Sequence, residues 1–233
     1  MKSVALVCAS DFNASYFLSQ SYDEIVAVDG GYARLQAAGV APTFALGDFD
    51  SLGYVPQGVP LITFPEEKDD SDLGLALNWC LEKGYFNVTV YGSFGGRLDH
   101  TLATLQTMMG FALHAGACIQ GISNDERLVV MPSGCSLSIS KEGQTPEFCA
   151  LHKDYRTVSV IALTNQVEDL SIRGMKYGLE KGTLTNQCSL GLSNELVGEE
   201  AFVSVGSGCA LVLLPLSQRC SFGHLALSQK CLI

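Results

Sequence analysis

Apolar and polar positions alternate in two ways along the first half of the chain. Short continuous apolar runs cover residues 4–8, 25–28, 43–46, 60–64, 88–91 and 117–122. Runs of that length without polar alternation mark strands buried on both faces. Helix-period segments lie between them. Leu73, Leu77, Cys80 and Leu81 form one apolar stripe, with capping residues among 69–71 ahead of it and Gly84 behind it. Leu98, Leu102, Leu105, Met109 and Leu113 form another, with Asp99 near its start and Gly116 past its end. Strand–helix alternation of this kind predicts an α/β domain over residues 1–123, built on a doubly wound, mainly parallel sheet.

The pattern changes after Ser123. Short β-rich runs at 127–131, 136–140, 157–162, 167–172, 183–184, 202–205 and 209–214 are broken by turn signals, and no long helical stripe interrupts them. This predicts an all-β sandwich over residues 124–233. Residues 217–233 read equally as a final strand or as a packed tail.

Charge narrows the function classes. The 233 residues carry 24 acids against 14 bases, a net charge of −10. That balance argues against an extended nucleic-acid surface, which needs a basic footprint. It leaves room for a small phosphorylated ligand, because a bound cation inverts the local charge logic. The nine cysteines are scattered, without a CxxC pair. They point away from a disulfide scaffold or zinc site and toward a reducing cytoplasm. Cys8, Cys80 and Cys118 lie in apolar runs and read as small core residues. The opening run is too short to span a membrane and reads as a first buried strand rather than a signal peptide.

Chemistry gathers in five short acidic turns: Asp29 in VDGG, Asp48 and Asp50 in LGDFDS, Asp72 in KDDSD, and Asp99 in GGRLDH. Most of them follow predicted strands, where ligands of parallel sheets collect. Asp72 stands instead at a helix entrance, whose free N–H groups suit phosphate. Asp48 and Asp50 are two apart, so an extended backbone directs both carboxylates to one side, where they could share a cation. The same pair also fits an Asx-turn with two solvated acids. Gly92 to Arg97 resembles a phosphate cradle, in which Gly95 and Gly96 bring N–H groups to an anion and Arg97 pairs with two of its oxygens. It lacks the GKS/GKT ending of a Walker A loop. Asp99 reads as a helix cap, a site residue, or both. His100 reads first as a structural histidine. Lys68 either neutralises phosphate or holds its acidic neighbours.

Taken in order, Asp29-Gly30-Gly31, Pro42, Gly47-Asp48-Phe49-Asp50-Ser51, Lys68-Asp69-x-Ser71-Asp72, Gly95 to His100 and Ser193-Asn194-Glu195 resemble the thiamine pyrophosphokinase family over nearly the whole chain. The resemblance implies transfer of pyrophosphate from ATP to the hydroxyl of thiamine, with Mg²⁺ required. It implies a homodimer with active sites between subunits, small-molecule partners only, and neither nucleic acid nor membrane. By motif, Asp48, Asp50 and Asp72 are expected to hold metal. Catalysis is expected of these three with Asp99 and Arg97. Asp29, Gly30, Ser51, Lys68, Gly95, Gly96 and Arg97 are expected at ATP. Tyr177, Ser193 and Asn194 are expected at thiamine, whose cationic thiazolium suits an aromatic face. Ordinary sandwich packing is the other reading of Tyr177. Asp72 and Asp99 both stand as general-base candidates. Three departures from the family pattern stand out: Ser71 for a usual Thr, Gly74 where bacterial members are often acidic, and Tyr177 where animal members have Trp. The remaining alternatives are a pyrophosphokinase for another hydroxymethyl heterocycle such as a pterin, a non-catalytic thiamine- or nucleotide-binding module, and, more remotely, a DxD glycosyltransferase.

Overall fold

The structure is a computed structural model that describes residues 2–63, 70–140 and 157–224. The chain divides into two compact units. Met1–Phe111 with Ile119–Asp125 forms one, and Ala112–Cys118 with Glu126–Ile233 forms the other.

Among the described residues the first unit carries six strands, β1 (Ser3–Val7), β2 (Glu24–Val28), β3 (Phe44–Gly47), β4 (Leu61–Thr63), β5 (Asn87–Tyr91) and β6 (Ile119–Ile122). They run in the order β6-β5-β1-β2-β3-β4, and every pairing among them is parallel. The continuous apolar runs have the expected consequence. Val4 through Val7 are wholly buried in the central strand, and Val26, Ala27 and Val90 are equally inaccessible. At the edge, β4 is short and its Leu61 is exposed.

The described residues add the helices α1 (Ala14–Leu18), α2 (Gly31–Ala37), α3 (Asp72–Glu82) and α4 (Leu98–Ala115). Helix α3 follows its sequence signals closely. Ser71 is the N-cap, and its Oγ accepts a hydrogen bond from Gly74 N at 3.1 Å. Leu73, Leu77 and Cys80 are buried, and Gly84 follows the helix at φ +70°. Trp79, the chain's sole tryptophan, packs edge-on against Phe44 and Tyr85 at centroid distances of 5.5 and 5.6 Å.

Helix α4 turns the other way from its leucine stripe. Leu98, Leu102 and Leu113 are exposed, whereas Thr104, Met108, Phe111 and Ala112 are buried. The helix is apolar on more than one face, so its pattern does not choose the buried side. A fixed contact is visible on that side: Thr104 Oγ1 donates to Ser93 O at 3.4 Å, beyond the end of β5.

Among the described residues the second unit holds nine strands, β7 (Glu126–Pro132), β8 (Cys135–Ser140), β9 (Thr157–Ala162), β10 (Gln166–Arg173), β11 (Leu179–Thr185), β12 (Asn194–Glu195), β13 (Glu200–Ser204), β14 (Cys209–Pro215) and β15 (Arg219–His224). One antiparallel set runs β12-β9-β14-β7 and the other β11-β10-β13-β8-β15. Residues of both sets share one buried cluster. Val129, Met131, Val160 and Val212 come from the first, and Leu137, Ile139, Leu170 and Val203 from the second. Burial in β9 alternates residue by residue, the mark of a strand with one covered face. Of the ambiguous end of the chain, 219–224 is a strand paired with β8, and 225–233 lies outside the described residues.

Candidate active site

A cavity of about 320 Å³ opens in the first unit at the carboxyl ends of its central strands. Cys8, Ala9 and Ser10 contribute from beyond β1, Val28 and Asp29 from the end of β2, and Gly92 and Ser93 from beyond β5. The chain proceeds from β1 to β2 on one side, while β5 lies on the other side of β1. The cavity therefore sits where the strand order reverses, the position at which open α/β sheets bind ligands. Gly92 allows the close approach of β1 and β5 here. Its φ is +65°, and a Cβ would lie 2.2 Å from Cys8 O.

The first turn of α3 forms part of the wall through Ser71, Asp72 and Leu73, and α4 adds His100, Ala103 and Thr104. A helix N-terminus at a polar cavity favours an anion, because its first N–H groups lack helical acceptors. The Cys8 thiol is pushed up to about 12 by desolvation, so it is a neutral wall residue at physiological pH.

Three carboxylates meet beside this cavity. One oxygen each of Asp29, Asp48 and Asp50 lie within 4.8 Å of one another. Local backbone explains the gathering. Asp29 directly follows β2 with φ +46°, and its N–H donates to Leu46 O at 2.7 Å, which fixes it beside the end of β3. Phe49, at φ +62° and only 3% exposed, anchors the next loop from below, so Asp48 and Asp50 flank a buried ring. Asp50 N donates to Asp48 Oδ1 at 3.3 Å. Ser51 Oγ donates to Asp29 Oδ2, and Asp29 Oδ1 is buried without a hydrogen-bond partner among the described residues. A buried anionic oxygen beside two more carboxylates is a poor arrangement unless a cation completes it. Hard carboxylate oxygens are the donor set that Mg²⁺ prefers.

The glycines after Asp29 have a packing role. A Cβ on Gly31 would lie 1.7 Å from Val7 O, and one on Gly30 would lie 2.8 Å from Ala9 Cβ. The pair lets α2 start against the end of β1, which holds Asp29 at the cavity.

Arg97 and Asp99 are paired in the open. Arg97 Nε lies 3.1 Å from Asp99 Oδ1 and its terminal nitrogen 2.5 Å from Oδ2. This bidentate contact holds the Asp99 carboxyl below its ordinary value and raises the guanidinium further. Gly95 and Gly96 precede them at φ +91° and +69°. Lys68 lies outside the described residues.

In the second unit, Asn194 is buried and ties the Tyr177 backbone from both sides. Tyr177 N donates to Asn194 Oδ1 at 3.0 Å, and Asn194 Nδ2 donates to Tyr177 O at 2.7 Å. Ser193, at φ +54°, precedes it. The Tyr177 ring is 64% exposed, so core packing does not account for it. Lys176 Nζ sits 5.6 Å from its centroid.

A model of the thiamin pyrophosphokinase catalytic domain matches residues 17–119, and a model of that enzyme's vitamin B1 binding domain matches residues 137–210. The chain belongs to the thiamin pyrophosphokinase family. Thiamine pyrophosphokinase of Bacillus subtilis (strain 168) is 28% identical over 222 residues, spanning 91% of this chain and 98% of its own. Thiamin pyrophosphokinase 1 of Caenorhabditis elegans is 26% identical over 174 residues, 71% of this chain and 67% of its own. The crystal structure of the Bacillus subtilis enzyme matches at a TM-score of 0.76 and 25% identity, covering 92% of this chain and 99% of that one. Thiamin pyrophosphokinases are ATP-dependent pyrophosphate-transferring enzymes, and the match to a vitamin B1 binding domain disfavours a pterin pyrophosphokinase.

The structure groups Asp48 and Asp50 with Asp29, while Asp72 lines the cavity from the first turn of α3. Ser10 and Thr104 line the cavity without having been singled out in the sequence, while Ser93 belongs to the Gly92–Arg97 segment read as a phosphate cradle. For Ser10, position just past a central strand was the available signal.

Proposed function

We propose that the chain binds ATP in the cavity of the first unit and transfers its pyrophosphoryl group to the hydroxyl of thiamine, yielding thiamine diphosphate and AMP. The observation that carries this reading is the Asp29–Asp48–Asp50 cluster beside a cavity at the point where strand order reverses. Asp29, Asp48 and Asp50 would hold Mg²⁺, and the orphaned Asp29 Oδ1 fits a cation. When bound, the ion would neutralise charge on the polyphosphate. The first turn of α3 offers its N–H groups to phosphate. Arg97 stands ready to exchange the Asp99 carboxylate for phosphate oxygens, an acceptor of the same fork geometry. Thiamine's hydroxyl attacks the β-phosphorus in line, and AMP leaves. Positioning and electrostatics supply most of the rate in such transfers. Asp72 is the better-placed proton acceptor, because it lines the cavity while Asp99 is engaged by Arg97. Tyr177 stacks on the thiamine ring, with Ser193 and Asn194 shaping its backbone.

The same reading includes a homodimer. Exposed Leu98, Leu102 and Leu113 on α4, and exposed Tyr177, Leu190, Leu192 and Val197 in the second unit, support surfaces that a second copy would cover. Among the described residues no helix is long and apolar enough to cross a membrane, and seven cysteines are in the thiol form. The thiols support a reducing cytoplasm as its compartment.

Incubation with ATP, Mg²⁺ and thiamine, followed by chromatography of the spent nucleotide, tests the proposal. AMP in proportion to thiamine diphosphate is expected. Stoichiometric ADP with thiamine monophosphate would reject the pyrophosphoryl transfer.

A further inference from the structure

The Tyr177 ring is exposed, yet the backbone that carries it is tied down. Lys176 N donates to Glu195 O at 2.9 Å, Val197 N donates to Gly174 O at 3.1 Å, and Met175 bridges to Leu196. Met175 and Leu196 belong to the buried cluster of the second unit. Asn194 holds the Tyr177 N–H and carbonyl. The chain bends at 176 and 177, so these two neighbours share one side instead of alternating. Lys176 Nζ consequently lies over the Tyr177 ring, 5.6 Å from its centroid, and 3.7 Å from Glu195 Oε1. The chain's own ammonium thus marks a point where a cation meets an aromatic face and a carboxylate together.

We propose that this ammonium stands in for the substrate's thiazolium, and that Glu195 selects a cationic heterocycle at Tyr177. The inference rests on the thiamine reading above and adds two residues to it. Two cations repel on one ring face, so a thiazolium binds there only when Lys176 leaves. Leaving costs little, because both partners of the Lys176–Glu195 pair are half-exposed and the lysine stem is flexible. The exchange also favours the substrate. An ammonium is a compact, strongly hydrated charge, whereas a thiazolium spreads its charge over a flat ring that stacks. Its charge is permanent, so the carboxylate of Glu195 keeps a counter-charge before and after the exchange. A neutral heterocycle of the same shape gains the stacking and nothing from Glu195. Charge selection therefore belongs to Glu195, and shape selection to Tyr177.

Calorimetry on the full chain without ATP, so that nothing turns over, tests this with two probes. One is thiamine. The other is its neutral thiophene isostere, in which carbon replaces the charged ring nitrogen. The parent is expected to bind thiamine more tightly than the isostere. Glu195→Gln should weaken thiamine about three- to tenfold and leave the isostere within about twofold, the scale of exposed charge contacts. Lys176→Met should tighten thiamine, since the competing cation is gone, and leave the isostere unchanged. Both side chains are half-exposed and the ties that hold the backbone use neither, so the melting temperature should be kept. Should Glu195→Gln fail to fold, the Lys176→Met result alone decides. Equal weakening of both probes by Glu195→Gln, or weaker thiamine binding in Lys176→Met, would overturn the proposal while sparing the thiamine reading. A parent that binds neither probe would overturn both.

Discussion

Ser51 Oγ holds one oxygen of Asp29, and the other oxygen of the same carboxylate is buried with no hydrogen-bond partner among the described residues. The serine thereby fixes the carboxylate plane and leaves one lone-pair face for a cation shared with Asp48 and Asp50.

Asp29→Asn is expected to lower turnover by about 10²- to 10³-fold, the range for losing one preorganised electrostatic contact. Asp48→Asn and Asp50→Asn should behave alike. Magnesium titration by calorimetry should show weakened binding in each. The metal-free variants should melt at or above the parent temperature, because one of several crowded negative charges is gone. Parent-like Mg²⁺ affinity in Asp29→Asn would remove that residue from the metal site.

Asp99 gives a pH prediction of definite sign. Arg97 holds its carboxyl below the ordinary value of 3.8. The favourable pairing is present above that ordinary value and is lost as pH falls through the lowered one. Both side chains are largely exposed, so little stability rides on the pair and the titration itself is the readout. Arg97→Gln should move the Asp99 carboxyl up toward 3.8 in a carbon-detected NMR titration. An Asp99 curve that ignores Arg97→Gln would show that the two are not paired in solution.

Tyr177→Ala should weaken thiamine binding by roughly 1–3 kcal/mol, the scale of aromatic stacking and cation–π contacts. The ring is exposed and its backbone is held by Asn194, so the variant should keep the parent melting temperature. ATP affinity should be unchanged. Equal thiamine Kd in parent and variant would place the heterocycle elsewhere.

The two faces of α4 should respond oppositely to truncation. Met108 is fully buried, and Met108→Ala should cost about 2–5 kcal/mol in urea unfolding. Leu102 is 54% exposed, and Leu102→Ala should cost under about 1 kcal/mol to the folded chain. If a second copy covers this face, Leu102→Asp should shift the sedimentation profile toward a smaller species. Costs of the reverse order would mean that the helix is rotated in solution.

Much of the fold was legible because its local signals agree with burial. The runs at 4–8 and 25–28 are strands within a residue at each end, and the Ser71 cap and Gly84 stop bound α3 as read. The failures have identifiable causes. Helix α2 was hidden because Gly30 and Gly31 look like loop residues, whereas the clashes a Cβ would make with Ala9 at Gly30 and with Val7 at Gly31 explain them. Two-residue β12 carries no periodicity at all, and it exists because Asn194 and Glu195 pair with Val158 and Thr157 of β9. On α4, counting leucines picks the exposed face. For the site, each aspartate could be named singly. That Asp29 lies beside Asp48 and Asp50 depends on the parallel pairing of β2 with β3, which places the ends of those two strands side by side.

Trp79 gives the molecule a built-in optical label. The sole tryptophan packs between Phe44 and Tyr85 inside the first unit, and the second unit has none. Its emission on heating or in denaturant therefore follows the melting of the α/β unit alone, while far-ultraviolet dichroism sums over both units. Superimposable curves from the two signals would mean that the units unfold as one cooperative block; displaced midpoints would give each unit its own transition, with no need to cut the chain.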